Sequence, residues 1–82
     1  MRFTAQLGAA RGLVGLSQSQ LAEISGVALS TIRRMERSEV RLRGNAESIW
    51  KVQKALENAG VVFIDENGGG PGVRLKDRVE KA

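Results

Sequence analysis

The sequence contains no cysteine and no histidine. Without cysteine it can form neither disulfides nor thiolate metal sites. That suits a reducing compartment, and a cytoplasmic protein is expected. Without histidine it lacks the commonest general base and the commonest metal ligand. Nor does it offer paired carboxylates for acid–base work, so neither an enzyme nor a cofactor is expected. Long apolar runs are missing too: no stretch approaches the roughly 20 residues that cross a bilayer. The opening MRFTAQLGAARGLVGL begins somewhat like a signal peptide. Gln6 and Arg11 interrupt it, so it reads as an amphipathic helix instead. The 82 residues allow one domain with a modest core. Many domains of that size gain stability by pairing with a second copy.

What is present is basic charge, and it is concentrated. The net charge is +4. Residues 1–43 hold seven arginines against three acids, whereas residues 44–82 hold six bases and six acids. Five of the arginines fall between Arg33 and Arg43. A solvated basic face is the bland reading of such a patch. A polyanion partner is the sharper one, because each neutralised phosphate releases counterions.

Periodicity places the elements. Phe3, Leu7, Ala10 and Val14 form the stripe of an amphipathic helix with Thr4 as its cap, stopped by Gly15. Ser17 with Gln20 has capping-box spacing and opens a second helix from Gln18 to about Ser25, burying Leu21 and Ala22. Gly26 is expected to end it in a left-handed conformation, with Val27 and Ala28 in the turn. A third helix is predicted from Leu29 to about Ser38, with Ile32 and Met35 inward. A basic loop, Glu39 to Gly44, leads to Asn45, which caps a fourth helix from Ala46 to Ala59. Its inward residues are Ile49, Val52 and Leu56, with Trp50 beside the stripe. Val61-Val62-Phe63-Ile64 then reads as a strand, residues 65–71 as a turn, and Gly72 to Leu75 as a returning strand. The expected organisation is a helical body over residues 1–60, a hairpin over 61–75 and a frayed tail over 76–82.

The segment from Leu16 to Glu36 carries the functional signal. It combines a G-L-S-Q opening, L-A in the first helix, G-V at the turn, and S-T-I before an acid in the second helix. This resembles the helix-turn-helix of the Xre, or phage Cro/repressor, family, and the resemblance spans roughly residues 4–60. It implies a mainly α, four- to five-helix lambda-repressor-like DNA-binding domain, here with a C-terminal β-hairpin. By the same resemblance, Gln18 contacts the DNA backbone at the start of the second helix. Free amides and the positive end of the helix dipole favour a phosphate there. The recognition helix starts near Leu29, and Ala28, Leu29, Ser30, Arg33 and Arg34 are the candidate base contacts. Arg34 suits a bidentate contact to guanine, and Leu29 suits a thymine methyl. Thr31, Arg37, Arg41 and Arg43 are expected at phosphates, where they supply affinity and register rather than sequence information. The resemblance also pairs Arg11 with Glu36, which makes Glu36 structural. One departure stands out: family members usually carry serine or threonine where Ala28 sits, and alanine is a poor N-cap.

The strand residues alternate: Val61 and Phe63 face one way, Val62 and Ile64 the other, and both faces are apolar. One face is expected to pack on the helices, and the other, or the strand edge, to meet a second subunit. That makes Val61, Val62, Phe63 and Ile64 the candidate dimerisation residues. Two strands alone are marginal, whereas four across a dimer are not. The glycine-rich run between the strands lacks the lysine and following helix of a phosphate-binding loop and reads as a turn. The function expected is sequence-specific binding of double-stranded DNA by a homodimeric regulator, a repressor of a palindromic operator. The competing reading is an antitoxin or other protein-binding regulator on the same fold.

Overall fold

The structure, a computed structural model, describes residues 1, 4–37, 44–64 and 70–76. Four helices and two strands follow in order: α1 (Thr4–Val14), α2 (Gln18–Ser25), α3 (Leu29–Glu36), α4 (Ala46–Asn58), β1 (Val61–Ile64) and β2 (Gly72–Leu75). The architecture is mainly helical with a C-terminal antiparallel hairpin, consistent with a lambda-repressor-like domain, and the helix count among the described residues is four.

Local chemistry explains most boundaries. α1 closes at Gly15, whose φ of 69° suits glycine. Ser17 caps α2 with a complete capping box: its hydroxyl accepts from the Gln20 amide at 3.0 Å, while Gln20 Oε1 accepts from the Ser17 amide at 2.8 Å. Gly26, at φ 75°, ends α2 by donating to the Ala22 carbonyl. Asn45 caps α4 through the Ser48 amide at 2.7 Å.

Three sequence expectations are adjusted. Thr4 is the first residue of α1 rather than a residue before it. α3 ends at Glu36, with Arg37 as its cap. α4 ends at Asn58, with Ala59 as its cap. Phe3, Ser38 and the turn residues Asp65 to Gly69 lie outside the described residues.

The helical stripes converge on one core of Leu7, Ala10, Leu21, Val27, Ile32, Met35, Val52, Ala55, Leu56 and Val61. Ala22 and Ile49 are only half-buried but pack against that core. Trp50 is 60% exposed, with Lys54 Nζ 6.0 Å from its ring centre. α2 packs on α3 and α4, α1 reaches α3 and both strands, and α4 supports β1. In the hairpin Val61 pairs with Leu75, Val62 with Arg74, Phe63 with Val73 and Ile64 with Gly72.

Candidate nucleic-acid interface

α3 has two faces with different contents. Ile32 and Met35 are fully buried and anchor it to the core. At 3.6 residues per turn, Ser30, Arg33, Arg34 and Arg37 cluster on the opposite side, and all four are exposed. That outward arc contains no acid. Leu29 and Thr31 lie at its flanks and are half-buried, while Ala28 is exposed at the N-terminal end. Arg34 Nη2 lies 3.5 Å from Thr31 Oγ1, one turn earlier. Arg41 and Arg43 lie outside the described residues.

The start of α3 is unusual. Ala28 occupies the N-cap position with φ −59° and ψ 142° and makes no side-chain capping bond. Its carbonyl nevertheless receives the amides of Thr31 at 3.0 Å and Ile32 at 3.1 Å, so the helix begins at Leu29 as predicted. The missing serine or threonine removes one hydrogen bond without moving the boundary.

The single acid of α3 is turned inward. Glu36 Oε2 accepts from Arg11 Nε at 2.6 Å, and Oε1 accepts from Arg11 Nη2 at 3.0 Å, a bidentate pair. Glu36 Oε1 also accepts from Gln18 Nε2 at 3.0 Å. The Arg11 and Glu36 side chains are 23% and 15% exposed. Burial pushes the Glu36 carboxyl up, but hydrogen bonds from Arg11 and Gln18 and the charge of Arg11 outweigh it, holding its pKa below the ordinary value. The Arg11 pKa is correspondingly raised, chiefly by its hydrogen bond to Glu36.

Arg11 also binds the turn before α2. Its Nη1 donates to the Leu16 carbonyl at 2.9 Å, while the Leu16 amide donates to the Arg11 carbonyl at 3.0 Å. α1, the start of α2 and the end of α3 are thus joined through one guanidinium and one carboxylate. The Leu16 carbonyl and the Gln18–Glu36 bond were not foreseen from sequence. The first is a local bond spanning five residues, whereas the second needs the first turn of α2 to lie beside the last turn of α3, which is a tertiary fact.

The dimerisation candidates divide. Val61 is 2% exposed within this chain's own core, so its side chain is unavailable to a second subunit. Phe63 is half-buried and packs on the same core. Val62 and Ile64 face the other way, half-buried and 38% exposed respectively. Of the four, Val62 and Ile64 are the two whose side chains turn away from the core, because the pleat sends alternate side chains to opposite faces.

Gln6 is a residue that sequence reasoning missed. It reads as a break in an apolar run, yet it is 2% exposed and its Nε2 donates to the carbonyls of Ile64 at 3.1 Å and Gly72 at 3.2 Å. Its spacing of four from Ala10 was the available signal.

Among the described residues, no group of three or more acidic, histidine or cysteine side chains is placed to hold a metal ion. Among the same residues no helix is long and apolar enough to cross a membrane.

Two helices joined by a short glycine turn, the second carrying an arginine-rich outward face, define a helix-turn-helix DNA-binding domain. Residues 7–57 match the family model described as helix-turn-helix, and the chain belongs to this Xre-like family. It is therefore a DNA-binding helix-turn-helix regulator. A search of curated proteins found no match.

Proposed function

We propose that this protein is a homodimeric repressor that reads a palindromic operator through the major groove, acting on chromosomal DNA in a bacterial cytoplasm. The observation that carries this reading is the outward arc of α3 and its C-cap: three exposed arginines and a serine, with the one acid of the helix drawn away to Arg11 and Gln18. A negative groove favours such a face, and an acid in the arc would oppose it.

Arg34 and Arg33 read bases, Ser30 donates or accepts, and Ala28 and Leu29 make apolar contacts near the helix start. Arg37 and Thr31 meet phosphates, as do Arg41 and Arg43. Gln18 uses one amide hydrogen on Glu36, and its amide group has a second hydrogen for a phosphate oxygen. Glu36 thereby orients a phosphate contact as well as the helix pair. Val62 and Ile64, on the outer face of the hairpin, meet the second copy. Paired recognition helices then address half-sites about one DNA turn apart.

The deciding experiment is selection of bound duplexes from random DNA, followed by titration at several salt concentrations. The expected result is a two-fold symmetric motif bound at least about a thousandfold more tightly than random DNA. Equal affinity for selected and random duplexes would sink the reading.

A further inference from the structure

Gln6 is the one buried polar residue among the described residues, and the DNA-facing surface does not use it. Burying an amide in a small core is costly unless its hydrogen bonds are made, so its partners show what it does. Among those partners are the carbonyls of Ile64 and Gly72, which face each other across the hairpin. The two hydrogens of one side-chain amide therefore hold both strands to α1 at the same level of the ladder.

Apolar packing accompanies these bonds. Val61 lies in the core, and Phe63 and Val73 pack against it. Apolar contact is non-directional, so it leaves the hairpin free to pivot on α1. Two convergent hydrogen bonds remove that freedom. Arg11, about a turn and a half further along the same helix, grips Glu36 of α3. The hairpin and the recognition helix are each tied to α1 by directional polar bonds.

We propose that Gln6 is a positioning residue that sets the angle of the hairpin on the helical body, and through it the half-site spacing that two copies accept. This rests on the reading of the hairpin as the dimer element. A small change of hairpin angle is carried along the length of the body to α3, so spacing responds to Gln6 while base preference does not.

The test is feasible because removing Gln6 does not orphan its partners. The Lys76 amide donates to the Gly60 carbonyl. Antiparallel alternation from that bond makes Ile64–Gly72 a hydrogen-bonded pair, so both carbonyls keep a ladder partner. Gln6→Met keeps the length and loses the donor. Gln6→Glu keeps the shape and turns an acceptor toward two acceptors.

The affinity of each full-length chain is measured for duplexes carrying two copies of the selected half-site, their separation varied one base pair at a time. Circular dichroism and sedimentation accompany each variant. The unaltered chain is expected to prefer one spacing over its neighbours by roughly tenfold. Both variants are expected to accept neighbouring spacings within roughly threefold while discriminating against a mutated half-site as before. A spacing preference that survives in both variants overturns the proposal alone. Parallel loss of spacing and base preference also overturns it, since Gln6 is then a general stability residue. An unaltered chain that sediments as a monomer and ignores spacing overturns the dimer reading, and this proposal with it. Should both variants fail to fold, hydrogen exchange of the Gln6 side-chain amide in the unaltered protein decides: slow exchange supports the clamp and fast exchange overturns it.

Discussion

α2 and α3 have the same length, eight residues, and opposite local design. α2 begins with a complete capping box and ends with a left-handed glycine, so its sequence satisfies its own termini. α3 begins at an alanine that caps nothing and carries Arg33 and Arg34 on its open side, with Arg37 at its C-cap. Intrinsic rules specify the first helix, whereas the second is held by what it packs against: two fully buried side chains and the carboxylate bridge to α1 and α2. Proteins commonly break a local rule where a site is exposed for function and compensate elsewhere. α3 follows that pattern, and its compensation is Glu36.

Breaking that compensation should have the largest effect. Glu36→Gln removes the charge that Arg11 and Gln18 converge on and leaves Arg11 partly buried without its partner. The expected loss is about 2–3 kcal/mol, below the cost for a fully buried pair because water still reaches this one. Chemical denaturation of the variant against the unaltered chain reads it directly. The same bridge sets a pH dependence. The folded-state pKa of Glu36 lies below the ordinary 4.5, so its contribution is complete above that value. It is lost as pH falls through the lower folded value, when the unfolded state has already taken up the proton. Stability measured from pH 7 downward should therefore fall more steeply below about pH 4–5 in the unaltered chain than in Glu36→Gln. Parallel curves would place the acid sensitivity elsewhere.

The open side of α3 gives the next effect. Arg34→Ala should cost roughly 1–3 kcal/mol on the selected operator and little on random DNA. Arg37→Ala should weaken both alike and lower the slope of log affinity against log salt by about 0.9. Titrations on both duplexes separate the two roles, and identical behaviour of the two variants would merge them.

The smallest effects test the helix starts themselves. Ser17→Ala should destabilise the protein by about 1 kcal/mol through loss of the cap. Ala28→Ser should stabilise it by about 0.5–1 kcal/mol, because the backbone at that position, with ψ 142°, is already non-helical as a cap residue requires. Thermal melts of the pair sharpen the contrast: a gain at Ala28 matching the loss at Ser17 shows that the weak start of α3 is a matter of one side chain.

Much of this molecule was legible in its residues. Ser17, Gln20, Gly26 and Asn45 announced the helix ends, because capping bonds reach only two to four residues along the chain. The 3.6-residue period separated Ile32 and Met35 from the arginines, and the twofold period separated Val61 and Phe63 from Val62 and Ile64. These signals are local, so the sequence by itself determined the order of elements, their approximate bounds and the basic face. Tertiary structure decided the rest. It buried Gln6 against a hairpin about 60 residues away in sequence, brought Gln18 to the same carboxylate as Arg11, and chose which apolar strand face belongs to this chain's own core. A polar side chain does not carry the address of its partner. That address appears only when packing brings distant elements together, and burial then makes the hydrogen bond obligatory.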